Sequence, residues 1–562
     1  MIVKKLFKSI PKQLLLFLFI CAFGFSYAQS TYKPIDRDIY HLYDRWQIKF
    51  KKDIPDLPNS LYPFNNKELA AQLSHVYQNK ESLSATDRFW LMHQIAEHND
   101  FVEDTLIESE RSVFNTFYTR PDALFSVNEE PYFLKVNPVI HYIHYFQQGG
   151  SEDNLFINTR GFELTARLSD KIGIYSFITD NQYRGPEYVR DHIRKGQAVP
   201  GEGFYKNFKD TGVDFLSPSA HVHFNVADHI DIVFGHGRNF IGHGYRSLLL
   251  SDHANQYFHL RLISRFWKFR YQNLFAEMTT TYRRGGDRLL DKKYLAAHYL
   301  HFKPTHWLEL GLFESVTFTG RNGYELQYLN PVILYRAVEH DLGSPDKVRV
   351  GAEFRVDFLR RFSFYGQIAL DEFNYSQLVN RTGWWANKYA FQTGLKYVDA
   401  FTIPNLDLQL EYNYVRPYMF THQDTATSFT HYNQALAHPL GANFDEIVGI
   451  IHYRPHPRFS VTTHMFSWRR GLDSDGEHWG SDIFRATNAN LVEQEFDNET
   501  LQGLRENGFL LDAKVSYQIR HNFFADLQLI ARSSAIENQE TINELYVGAG
   551  LRLNMVHRRF HF

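Results

Sequence analysis

The chain reads as an all-β transmembrane barrel of about eighteen antiparallel strands, preceded by a small N-terminal periplasmic helical domain. Three observations predict it. From about Pro131 the hydrophobic period switches from 3.6 to 2 and stays there. Alternating runs of about ten residues, the length a tilted membrane strand needs, are joined by links that are short and long by turns. The composition is polar on average, with a mean hydropathy of -0.40, yet 16% of residues are aromatic, 34 Tyr and 49 Phe among them. Lipid-facing strands with aromatic girdles around a polar lumen produce that combination.

At the N-terminus, Lys4, Lys5, Lys8 and Lys12 precede an apolar core, Leu14–Phe25, and Ser26-Tyr27-Ala28 supplies small residues for cleavage. That core is too short to span a bilayer, so residues 1–28 are expected to be a secretory signal. The only cysteine, Cys21, lies inside it, preceded by Ile20 rather than by the small residue that lipoprotein processing requires. The exported chain therefore makes no disulfide and draws its stability from a large core or from a membrane. Residues 29–128 are expected to form the periplasmic helical domain. Within Arg37–Lys51, the residues Ile39, Leu42, Trp46 and Phe50 recur at helical steps. Asn65 and Asn66 precede KELAAQLSHVYQ, and Ser84-Ala85-Thr86 precede DRFWLMHQIAEH with Asp87 in the first turn.

Residues 129–562 are expected to be the barrel. Val350, Ala352, Phe354, Val356 and Phe358 alternate with Gly351, Glu353, Arg355 and Asp357. Leu406–Val415, Phe162–Leu168 and Leu511–Tyr517 alternate in the same way. Short turns are expected at Ser169–Lys171, Asp228-His229, Arg265-Phe266, Pro304-Thr305, Leu359–Arg361, Pro455–Pro457 and Arg520–Asn522. Long links fall between them, over 182–219, 237–257, 319–347, 418–444 and 471–506. In hydrocarbon every backbone polar group needs an internal partner, so such a sheet must close. An even strand number places both termini in the periplasm. Glu163, Arg167, Glu353, Arg355, Asp357, Asp407 and Glu411 are then expected to line a solvated or salt-bridged lumen. The last strand is expected over Glu544–Met555, and the terminal Phe562 suits the aromatic end favoured by outer-membrane insertion machinery.

The most unusual stretch is Phe234–Asp252, FGHGRNFIGHGYRSLLLSD, too rich in glycine for a helix or a central strand. It matches neither phosphate-binding glycine spacing. One reading is a surface loop whose glycines permit positive φ. The other is a loop tucked into the barrel mouth, presenting His236, Arg238, His243 and Arg246 to a polar or anionic ligand, with guanidinium forks suited to carboxylates. Trp384 and Trp385 with Asn387 and Lys388, Tyr418 with His422, and Trp479 with His478 and Asp475 fit aromatic stacking and hydrogen bonding to sugars. Their alternative is an interfacial girdle. The pairs His221/His223 and His452/His456 fall short of a metal site, and neither a metal nor a cofactor is expected. Ser247, His243 and Asp252 can be drawn as a triad, but that geometry is set in space, and no catalysis is expected. A net charge of -3 and a pI near 6.9 give no electrostatic case for nucleic acid.

Four blocks carry a family resemblance: Gly235–Asp252, KKYLAAHYL (Lys292–Leu300), ELQYLNPVILYRAVEHDLGSPD (Glu325–Asp346) and LAHPLGANFDE (Leu436–Glu446). With them the chain resembles the Wzi-type capsule assembly proteins, and within these the RemB-like branch described as gliding motility proteins. The resemblance implies an eighteen-stranded outer-membrane barrel with a periplasmic helical part. It implies a non-catalytic role in attaching or assembling surface polysaccharide, with that polysaccharide, outer-membrane lipid and other motility or envelope proteins as partners. Two rivals stay open: a diffusion porin, and a motility or secretion accessory that docks proteins.

Overall fold

Period-2 alternation gives every strand a lipid face and a lumen face, and in this chain eighteen such strands close on themselves in antiparallel register. The computed structural model describes residues 31–50, 59–101, 116–129, 131–148, 154–169, 171–227, 229–281, 289–320, 323–344, 346–474 and 476–562. The expected signal, residues 1–28, and Asp475 lie outside the described residues.

The first nine wall strands are β1 Tyr132–Gln147, β2 Leu155–Leu168, β3 Ile172–Arg184, β4 Gly212–Ala227, β5 Ile230–Gly237, β6 Tyr257–Phe266, β7 Phe269–Thr279, β8 Lys292–Thr305 and β9 Leu308–Phe318. The remainder are β10 Lys347–Phe358, β11 Phe362–Glu372, β12 Lys388–Tyr397, β13 Leu406–Val415, β14 Phe444–His456, β15 Phe459–Leu472, β16 Leu504–Arg520, β17 Phe523–Ile536 and β18 Ile542–Leu553. β18 pairs with β1, Tyr546 opposite Gln147 and Leu553 opposite Ile140, so no edge is left open.

One end carries tight turns such as 359–361 and 521–522, and the other carries the links 185–211, 238–256, 319–346, 416–443 and 473–503. Three turns fall later than the sequence suggests, at 267–268, 306–307 and 457–458. Phe266 and Phe269 stack across the first, 5.4 Å between centroids, which prolongs the pairing. Register shifts at Phe302/Thr305 and Tyr453/His456 absorb Pro304 and Pro455 in the other two. Glu353, Arg355, Asp357, Asp407 and Glu411 are buried toward the lumen, as the alternation requires. Glu163, half-buried, accepts the Tyr175 hydroxyl at 3.0 Å.

The helices that precede the wall, among the described residues, are α1 Arg37–Phe50, α2 Asn66–Gln78 and α3 Ala85–Glu97. Asn65 caps α2 by accepting from Lys67 N and Glu68 N, and Ser84 caps α3 by accepting from Asp87 N. They are wedged into the tight-turn end of the lumen. On α1, Tyr43 and Trp46 are fully buried, and so are Arg45 and Gln47 on its polar side. The wall supplies their partners. Asp44 takes Arg355 at 2.5 Å and Lys396 at 2.6 Å, while Arg45 pairs with Asp87, Asp399 and Asp407. Glu68 of α2 takes Arg265 and Arg270, and Glu97 of α3 meets His521 at 2.8 Å.

The C-terminus departs from expectation. β18 ends at Leu553, and the following residues turn into the lumen instead of prolonging the wall. Phe562 lies 4.2 Å from the His192 ring and 5.9 Å from Tyr188, on and beside α4 Glu187–Gly196. The aromatic end of the chain is therefore a lumen contact, not the last residue of a wall strand. The physical reason is the matching of charge: Arg558 reaches Glu202 at 2.7 Å and Arg559 reaches Asp38 at 2.6 Å.

Candidate functional site

β5 is only eight residues long, so the chain leaves the wall early and link 238–256 crosses the lumen. There Phe240-Ile241 pairs with Tyr62-Leu61, just ahead of α2, and Gly242 N donates to Ser60 O at 2.8 Å. Two glycines make this course possible. Gly242 has φ +152°, and a Cβ on Gly244 would lie 2.4 Å from Glu411 Oε2 and 2.7 Å from Gln392 Oε1. The stretch is an internal loop, not a surface one.

The four loop candidates separate. Arg246 is buried and forked onto Glu446, Nε to Oε2 at 3.1 Å and Nη2 to Oε1 at 2.7 Å, with Nη2 also donating to His561 O at 2.8 Å. Glu446 is shared with His438 Nε2 at 2.8 Å. Arg238 is partly exposed, 3.3 Å from Glu202 and donating to Gly201 O. His243 is buried 3.7 Å from Glu353 Oε1. His236 stands in register with Ala220 and Phe258, so alternation sets it on the face of Phe234, the outward one.

Between the loop, the segment before α1 and the C-terminal tail lies a cavity of about 400 Å³, lined among others by Arg238, Tyr245, Arg246, Asp252 and Arg558. The cations of its loop and tail are already matched. Besides the Arg246–Glu446 fork, Glu202 serves Arg238 and Arg558, and Asp252 takes Arg37 at 2.9 Å. Burial alone would lower the pKa of Arg246, but Glu446 beside it holds it above the ordinary value. Burial pushes His253 down to about 3, so it is neutral. An anionic ligand at Arg37, Arg238, Arg246 or Arg558 would have to displace a protein carboxylate. The drawn triad does not assemble: the Ser247 hydroxyl donates to Ile241 O and caps Leu249 N and Leu250 N, and Asp252 is held by Arg37.

The tryptophans sit at the long-link end, where links 373–387, 416–443 and 473–503 form a cap. Trp385 N donates to Glu495 O at 3.0 Å, Asp497 N to Thr382 O at 2.8 Å, and Tyr418 N to Gly480 O at 2.9 Å. Buried Trp385 meets Tyr418 edge-on at 6.0 Å, and Tyr418 meets His478 at 5.3 Å. Trp384 and Trp479 remain half-exposed, the latter donating Nε1 to Glu477 at 2.8 Å. Trp384, Trp385 and Trp479 thus belong to one cap, remote in sequence, while His243 and Arg246 belong to the lumen. Among the described residues, His93, Glu97 and His521 gather their ligand atoms within 4.8 Å. His93 is engaged by Asn522 and Gln518, and the group fastens α3 to turn 521–522.

The electrostatics predict a pH dependence. Burial opposes ionisation of Asp44 and Asp87, but Arg355 and Lys396 in the first case and Arg45 in the second hold both below the carboxylate range. Burial pushes His98, which caps α3, down to about 3. All three have folded values below their unfolded ones, so their contribution is complete at neutral pH. It begins to fall below about 6.5 for the histidine and below about 4 for the carboxylates. Limited proteolysis of residues 59–101 is expected to be flat from pH 7 to 9 and to accelerate on acidification. Acceleration on the alkaline side instead would contradict this assignment.

Residues 218–539 match the family model of the capsule assembly protein Wzi. The fold is similar to that of Wzi from Escherichia coli, described as an outer-membrane protein of group 1 capsule assembly and a carbohydrate-binding β-barrel. The TM-score is 0.56 at 14% identity, over 94% of this chain and 100% of that one. OccK8 (OprE) of Pseudomonas aeruginosa aligns at a TM-score of 0.41 and 9% identity, over 75% of this chain and 98% of that one. No curated protein matches the chain.

Proposed function

The chain belongs to the Wzi capsule assembly family and lies in the outer membrane, and on that footing we propose that it holds surface polysaccharide at its long-link end. In this reading the tight turns and helices α1–α3 face the periplasm and the cap faces outward. The observation that carries it is the cap itself. Two half-exposed indoles, Trp384 and Trp479, stand on links cross-braced by backbone hydrogen bonds, the arrangement a sugar ring needs for stacking. The occupied interior supports this reading over that of a diffusion pore. The carboxylates already paired with Arg238 and Arg246 favour the cap over these two as the sugar-binding surface.

Replacing Trp384 and Trp479 together by alanine is expected to weaken binding of the strain's own polysaccharide to the purified barrel about tenfold, or about 1.4 kcal/mol. Unchanged affinity in a folded double variant would remove the cap from the site. In a deletion strain, polysaccharide shed into the medium with colony spreading intact is the expected result. Lost spreading with normal cell-bound polysaccharide would assign the chain instead to the gliding role of the RemB-like branch, acting through protein partners.

A further inference from the structure

The register places three outward-facing polar residues side by side. Asn273 of β7 pairs with His298 of β8, which pairs with Glu314 of β9. The same row continues as Leu262 on one side and as Val350 and Leu370 on the other. A polar trio thus interrupts an apolar row of the lipid face. Phe302, four residues nearer the tight-turn end of β8, stacks on Phe269 at 4.4 Å beside Trp267, in the aromatic girdle of that end. With the rise and tilt of membrane strands, four residues climb about 10 Å, which puts the trio inside a hydrocarbon band about 25 Å tall.

The trio is nevertheless shielded: Asn273, His298 and Glu314 are only 2%, 6% and 9% exposed. What covers it is the segment 323–344 of the link between β9 and β10, which folds down the outside of the wall. Tyr328 packs on Phe318 at 4.8 Å near the top of β9. At the bottom of its descent Tyr335 stacks on His298 at 4.0 Å, and Arg336 N donates to Glu314 at 3.3 Å. The segment then returns through α5, Tyr335–Leu342, with Tyr335 and Val338 turned to the wall. Its outer surface is apolar at the tip, where Val332 is 83% exposed and Leu334 68%, and Leu326, near the top of the descent, is 74% exposed. Arg336, beside that tip, is neutralised by Glu339 at 2.6 Å. Directly below the trio, the bare wall resumes with Leu312, 60% exposed.

We propose that residues 324–342 form a lipid-binding flap that replaces the barrel wall as the membrane-facing surface of this sector. Leu326, Val332 and Leu334 lie against the acyl chains of the outer leaflet. The occupant is hydrocarbon because Val332 and Leu334 at the flap's tip extend the exposed apolar face that Leu312 of β9 and Val350 of β10 present beside it. An aqueous surface loop would turn Val332 and Leu334 inward; here they face out at the tip, and the exposed charges of His340 and Asp341 lie on the returning α5.

The test uses the full chain with Cys21→Ser, so that a single introduced cysteine can carry a bimane label. The protein is reconstituted in phospholipid vesicles, and the label is placed by Val332→Cys or, should that variant fold poorly, Leu334→Cys. Leu312→Cys on the bare wall is the membrane reference, and Leu491→Cys on the cap the aqueous one. The expected result is that bimane at 332 is quenched by acyl-chain-brominated lipid to the extent seen at 312, and is spared by iodide. Quenching by iodide as at 491 would overturn the flap as a lipid surface. Resistance to both quenchers would overturn it as well, in favour of a second copy or a protein partner seated there.

Discussion

Arg45→Met is expected to unseat α1 from the lumen. Arg45 is 1% exposed, and its guanidinium faces the carboxylates of Asp87, Asp399 and Asp407. Burial would lower its pKa, yet those carboxylates hold it above the ordinary value, so it is charged throughout. Methionine keeps the volume and removes the charge, leaving three acidic groups facing one another, Asp87 and Asp407 of them buried. Removing one member of a buried network typically costs about 3–5 kcal/mol. Lys49, 2.9 Å from Asp399 and 3.3 Å from Asp87, compensates only in part. The variant should show faster proteolysis of the helices and a larger ion conductance in planar bilayers, because an eighteen-stranded barrel is wide enough to conduct once its contents loosen. Arg88→Met supplies the contrast, since its pair with Glu81 is long at 3.8 Å and exposed on both sides. It should change stability by no more than about 0.5 kcal/mol. Equal conductance and equal protection in the two variants would show that the helices are held by something other than this network.

Deleting residues 556–562 is expected to leave the barrel closed while loosening what fills it. β18 is complete at Leu553 and pairs with both β17 and β1, so the wall loses nothing. The lumen loses Arg558 from Glu202, Arg559 from Asp38, and His561 from Asp512 at 2.8 Å. Asp38 retains Lys514 at 2.8 Å, and Arg246 retains Glu446 but loses the His561 carbonyl. Vacating these buried partners should destabilise the docked loop and α1 by about 3 kcal/mol or more. Heat-modifiable migration of the truncated barrel should match the full chain, while its helices become protease-sensitive. Failure of the truncated chain to assemble would restore Phe562 to the role of insertion signal that a terminal aromatic suggests.

Much of the architecture is legible without coordinates. Glu353, Arg355 and Asp357 stand between Phe354, Val356 and Phe358 because a pleated strand has two faces, and the bilayer and the lumen demand opposite chemistries of them. Asn65 and Ser84 announce their helices because a side-chain oxygen satisfies amide groups that the first turn leaves free. Turns at prolines fall a little later than the sequence suggests, since a bulge lets a strand carry Pro304 or Pro455 past the point where regular pairing would stop.

Direction is what the one-dimensional pattern lacks. Links 238–256, 319–346 and 473–503 all leave the same end of the barrel. The first enters the lumen, the second lies against the lipid face and the third builds the cap. Local hints exist: the glycines of 235–244, the apolar LNPVIL run over 329–334, and a terminal VHRRFHF without alternation. None of them names a partner. Strand period, helix caps and compartment follow from interactions between near neighbours and from the solvent each face must meet, so the order of residues suffices for them. Arg246 with Glu446, Arg559 with Asp38, and Tyr335 on His298 join groups hundreds or tens of residues apart. Only a closed barrel, bringing α1 and the tail 555–562 into one lumen, decides which carboxylate each buried cation finds.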